Sequence, residues 1–128
     1  MIKFFSNYRI VFHFINFSLI FLYIYPGSLL GAIIYGNKKV QPQLTPDFII
    51  SSNHFYVFIL LSIIGFFTYM KKSQINILIL YLILVSIILE LSHLYIPERT
   101  FQWGDLFGNL IGVVVVILIR NLINKYVP

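Results

Sequence analysis

Apolar positions in this chain do not gather on one stripe of each segment, as a water-soluble amphipathic helix requires, but occupy all faces of long segments. Such runs predict helices whose solvent is lipid. Four of them, at 9–30, 54–70, 75–96 and 105–123, reach or approach the length that crosses about 30 Å of hydrocarbon at about 1.5 Å per residue. Polar and helix-breaking residues punctuate the runs. Pro26-Gly27 interrupts the first, so that SLLGAIIYG is either its continuation or a turn of its own. Lys71-Lys72-Ser73-Gln74 reads as a tight hairpin, and Pro97 breaks the third. The expected fold is all-α, a single domain over 1–128 forming an integral membrane bundle of four transmembrane helices.

Composition strengthens this picture, because 59% of residues are hydrophobic and only 10% charged. The net charge of +5 does not point to nucleic acid, since the Lys and Arg residues sit at the ends of apolar runs and form no stripe. They read as topology signals. Lys3, Arg9, Lys71, Lys72, Arg120 and Lys125 fall on one side, and Lys38, Lys39 and Arg99 on the other, which predicts a multi-pass cell-membrane protein with both termini cytoplasmic. Segments 36–53 and 97–104 then face outward, with Tyr23, Tyr25, Tyr56, Tyr95 and Trp103 as interfacial anchors. The basic start and apolar run also resemble a secretory signal, but the length of the run, its His13 and Asn16, and the lack of a small-x-small cleavage site favour a retained helix. His13 and Asn16, one turn apart, read as a helix-packing pair. With no Cys, disulfides and thiolate chemistry are excluded.

All four carboxylates, Asp47, Glu90, Glu98 and Asp105, fall in the outward half of this arrangement. Glu90 is the costly one. It lies inside the third run, two helical turns before Pro97, where a charge costs about 2.5–3.5 kcal/mol even on a lenient insertion scale and therefore needs a partner or a proton. Ser86, Glu90 and His93 share one helix face, as do Asp105, Asn109 and Gly112 on the fourth run. Gly108 and Gly112 form a small-xxx-small pair that lets another helix approach closely, and the two polar faces are expected to meet. Each residue also has a plainer reading. Asp105 suits a helix cap, Glu90 with His93 suits an interhelical lock involving Asn109, and His54 suits the headgroup zone at the start of the second run. Arg99 fits an interfacial cation, a partner for Glu90 and Asp105, or a fork for an anionic ligand. His54, Glu90, His93 and Asp105 are all residue types that zinc accepts, but no spacing fixes two ligands on one helix, and the sequence assigns no metal and no cofactor.

The series Glu90-x-x-His93, Pro97-x-Arg99 and Asp105-x-x-x-Asn109-x-x-Gly112, preceded by His54, resembles the VanZ-like membrane proteins over about 54–116. Family motifs read Asp-Lys-x-x-His, then Glu-x-x-Gln, Pro-Gly-Arg and Asp-x-x-x-Asn-x-x-Gly. This chain has Ile50 and Ser51 in place of Asp-Lys, His93 in place of Gln, and Glu98 in place of Gly. The resemblance implies a small cell-envelope protein of the cytoplasmic membrane, in a family whose named member is associated with resistance to the glycopeptide teicoplanin. It implies no settled reaction.

Three functions fit these residues. In the first, His54, Glu90, His93, Arg99, Asp105 and Asn109 line an outward polar pocket that binds a membrane lipid or a lipid-linked envelope precursor, with no nucleic-acid partner. In the second, the polar groups lock the helices and the protein contacts a larger membrane partner. The third is intramembrane acid/base catalysis by Glu90 or His93, for which no Ser or Cys nucleophile stands in a recognisable setting. Transport fits less well, since four helices leave little room for a pathway.

Overall fold

A computed structural model describes residues 2–127, with side chains described from position 8, so the Lys3 side chain used in the charge count lies outside the described part. Five helices and no strands make up the described residues: α1 (Ile2–Ile24), α2 (Leu29–Tyr35), α3 (Ser52–Thr68), α4 (Lys72–Ser92) and α5 (Trp103–Tyr126). Two of them, α4 and α5, are long and apolar enough to cross a membrane. A third span forms if α1 and α2 are taken together, but the two are bent by 84° at their junction. The 17 residues of α3 are apolar but shorter.

The bend settles the open boundary at Pro26-Gly27. Tyr25 precedes a proline, which disfavours the helical conformation, and Gly27 takes φ 84° to redirect the chain. A new helix then starts at Ser28, whose hydroxyl accepts a hydrogen bond from Gly31 N–H at 2.9 Å. The expected run 9–30 is thus a long helix followed by a short crosswise one. A side chain at Gly31 would collide with Val40 O, so the following segment folds tightly back over α2.

The third expected run also ends early. Helix α4 stops at Ser92, with His93 as its C-cap, and turns rather than helix lead to Pro97. Glu90 therefore sits in the last turn of its helix and not two turns beneath the end. Glu98, at the tip of the α4–α5 connection, has φ 61°, a backbone conformation that favours glycine.

Helices α1, α3, α4 and α5 alternate in direction, so the C-terminal ends of α1 and α4 meet the N-terminal ends of α3 and α5. Tyr23 reaches His54 and Asn109 at this end, while Phe12 packs edge-on to Tyr69 at the other. The core between them is built from Phe12, Leu19, Phe58, Leu61, Leu82 and Val113. Phe14, Phe17, Ile77, Leu80 and Leu118 remain exposed on the outside, a distribution compatible with insertion into lipid.

Gly108 and Gly112 bring α5 onto α3. A Cβ at Gly108 would lie 2.8 Å from Ser51 O, and one at Gly112 would lie 2.7 Å from Phe55 O. The glycine pair thus serves α3, while Asn109 on the adjoining face reaches α4 through a bond from Nδ2 to Ser86 O at 3.0 Å. His13 and Asn16 join helices as expected: Tyr69 Oη lies 3.3 Å from His13 Nε2, and Tyr81 donates to Asn16 Oδ1 at 2.6 Å.

Candidate functional site

All four carboxylates gather at the end of the bundle where α1 and α4 finish and α3 and α5 begin. Asp47 caps α3, its Oδ1 accepting from Ser52 N–H at 3.0 Å, and Glu98 pairs with Lys38 at 3.1 Å. The other two acids belong to a polar cluster. Glu90 has no solvent exposure, Asn109 has none, and His93 is buried, whereas His54 and Asp105 retain 17% and 16% side-chain exposure. The cluster therefore opens to the surface through His54 and Asp105.

Glu90 holds the connection between α4 and α5. Its Oε1 accepts from the N–H of Gln102, the N-cap residue of α5, at 3.1 Å. In a capping box the third helical residue would make this bond, and that residue is Asp105. Glu90 makes it from the neighbouring helix, and the Asp105 carboxylate faces His54, with Oδ2 3.5 Å from Nε2. Asp105 thus makes no capping-box bond to Gln102, though its place in the first turn of α5 still sets a carboxylate at the positive helix end.

His93 donates from Nε2 to Tyr23 O at 3.0 Å, because a carbonyl can only accept. Its Nδ1 then faces Glu90 Oε2 at 3.3 Å, an approach that needs one proton between the two atoms. Asn109 is oriented by its bond to Ser86 O, so that Oδ1 accepts from Tyr23 Oη at 2.6 Å and from His54 Nδ1 at 3.0 Å. Tyr23 lies between the two imidazoles, stacked on His93 with ring centroids 5.6 Å apart and edge-on to His54 at 5.1 Å.

Tyr23 is the member that sequence reasoning missed. At the end of a span it reads as an interfacial anchor, yet it is buried. The only signal for it is its position one turn before Gly27, on the face that α1 turns toward the bundle.

Arg99 makes contacts that none of the three readings above includes. Its Nη2 donates to Leu22 O at 2.6 Å and its Nε to Tyr25 O at 3.1 Å, so it caps the open carbonyls at the C-terminal end of α1. Loss of water lowers its pKa, an effect opposed by Tyr23, Glu90 and Asp105. Beside it lies a shallow groove of about 330 Å³ lined by Lys38, Lys39, Gln41, Glu98 and Arg99. A larger cavity, about 430 Å³, lies at the opposite end among Phe66, Met70, Val116 and Ile123, away from every carboxylate.

The two serines of α4 near Glu90 are not set as nucleophiles. Ser86 donates to Ile83 O at 2.7 Å and Ser92 to Leu89 O at 2.5 Å, each within its own helix. What the arrangement offers is a set of acceptors and imidazoles, held rigidly by four helices, next to a groove carrying three cations. No family model, curated protein or solved structure matches the chain.

Proposed function

We propose that this chain is a VanZ-like protein of the cell envelope that crosses the membrane four times. Its polar cluster and adjoining basic groove bind the anionic headgroup of a membrane lipid or lipid-linked envelope molecule. The observation that carries this reading is Glu90, fully buried yet surrounded by His93, His54 and Asn109 in a cluster that opens to the surface. A lock alone would not need the opening. Support for an anionic ligand comes from Lys38, Lys39 and Arg99 in the groove.

Support for the family comes from Glu98. It stands where the VanZ-like pattern has glycine, and it is the non-glycine residue whose φ is positive among the described residues. The lost Asp-Lys pair does not empty the His54 end, because Ser51 and Ser52 start α3 there with Asp47 as their cap.

Expression in a teicoplanin-susceptible Gram-positive host tests the proposal. The native chain is expected to lower susceptibility, and Glu90→Gln and Asp105→Asn are expected to abolish that effect at unchanged membrane abundance. Native susceptibility in both variants rejects the site. The competing reading, a helix lock that serves a larger membrane complex, is favoured by the interhelical bonds of Asn109 and instead expects both variants to aggregate in detergent.

A further inference from the structure

Three electron-pair donors from three helices converge at the open end of the bundle. His54 on α3, Glu90 on α4 and Asp105 on α5 each bring one ligand atom to within 4.8 Å of the other two. The hydrogens decide what kind of cluster this is. Asn109 Oδ1 accepts only, and its 3.0 Å contact with His54 places a hydrogen on Nδ1. A neutral His54 ring therefore turns the lone pair of Nε2 toward Asp105 Oδ2, 3.5 Å away.

Glu90 supplies the second, independent sign. Its Oε1 is taken by Gln102, but Oε2 is buried and has no hydrogen-bond partner among the described residues. It lies 3.9 Å from His54 Nδ1, the protonated nitrogen of that ring, and 3.3 Å from His93 Nδ1, whose own hydrogen is on the other nitrogen. Arg99, the nearest permanent cation, is engaged with the carbonyls of α1 and forms no ion pair with either acid. Glu90 Oε2 and His93 Nδ1 thus face one another away from water, an arrangement that is costly without a proton or a cation beside them.

We propose that His54, Glu90 and Asp105 bind a divalent transition-metal ion, with zinc as the best match to one imidazole and two carboxylates. Ligands about 2.1 Å from zinc lie roughly 3.4 Å apart, so small side-chain rotations close the site. Tyr23 and Asn109 hold His54 from behind through Nδ1, the way outer groups orient a metal-bound imidazole. Three protein ligands leave a coordination position open, and the exposed edges of His54 and Asp105 put it on the surface side. The ion is a separate claim from headgroup binding, since it is measured with no lipid ligand added.

The test uses the full chain in detergent micelles, with any affinity tag removed, stripped with EDTA and then dialysed against zinc. Elemental analysis is expected to find about one zinc per chain, with a rise in Tm on loading. His54→Gln and Asp105→Asn are expected to lose both the ion and the Tm response, and His13→Gln to keep them. Cobalt in the unmodified protein gives a readout free of any folding defect in the variants: an intense visible spectrum of low coordination is expected. Absence of stoichiometric zinc, a pale octahedral cobalt spectrum, or equal zinc in the His54 and Asp105 variants overturns the site.

Discussion

Asn109 shows how one amide can order an entire cluster. Its Nδ2 is fixed by Ser86 O, its Oδ1 accepts from both Tyr23 and His54, and neither atom is exposed. Replacing it with Leu leaves Ser86 O without its donor and takes away the acceptor shared by Tyr23 and His54, whereas Tyr23→Phe removes one hydroxyl and leaves the bond from His54 to Asn109 intact. Asn109→Leu is therefore expected to cost about 2–3 kcal/mol and Tyr23→Phe about 0.5–1 kcal/mol in reversible unfolding by SDS titration. The reverse order would show that the amide does not organise the site. Glu90, His93 and Asn109 were legible in the sequence because polar groups inside an apolar run demand partners. Tyr23 and the α1 carbonyl partners of Arg99 were not, since a rim tyrosine and a loop arginine look the same whether they anchor to lipid or turn inward.

Among the elements, the contact of α3 with α5 depends on the space left by Gly108 and Gly112. A Cβ at Gly112 would come within 2.7 Å of the α3 backbone, which can give way only by moving the helix. At Gly104 the nearest atoms to a Cβ are 3.8 Å away. Gly112→Ala is expected to lower stability by about 1–3 kcal/mol and Gly104→Ala to leave it unchanged or slightly raised, as read by Tm in detergent. Equal effects would mean that close approach is not what holds the pair. The glycine spacing announced a tight helix contact, but its partner helix was hidden, because spacing on one helix carries no information about the neighbour. Helix ends were the least legible. The runs at 9–30 and 75–96 continue in hydrophobicity past Ile24 and Ser92, where local backbone chemistry around Pro26 and the α4–α5 turn stops the helices.

The whole molecule carries its carboxylates at one end, with Lys71, Lys72, Arg120 and Lys125 toward the other. In the proposed four-pass arrangement the acidic end faces outward. Because the chain has no Cys, single substitutions give a clean probe: Lys39→Cys is expected to react with an impermeant maleimide in intact cells, and Lys72→Cys only after permeabilisation. The opposite pattern would invert the protein and place the cluster inside. Hydrophobicity made the long apolar helices legible in the sequence, whereas the meeting of His54, Glu90 and Asp105 depends on tertiary packing that no local pattern encodes. One dimension has a physical outcome of its own. Helix α3 rises only about 26 Å over its 17 residues, a few ångströms less than a typical hydrocarbon layer, and His54 sits in its first turn. In the proposed four-pass arrangement a bilayer would thin beside that helix, drawing a dimple of water and headgroups down to the proposed metal ligands, so occupancy of a membrane is expected to fall as its acyl chains lengthen.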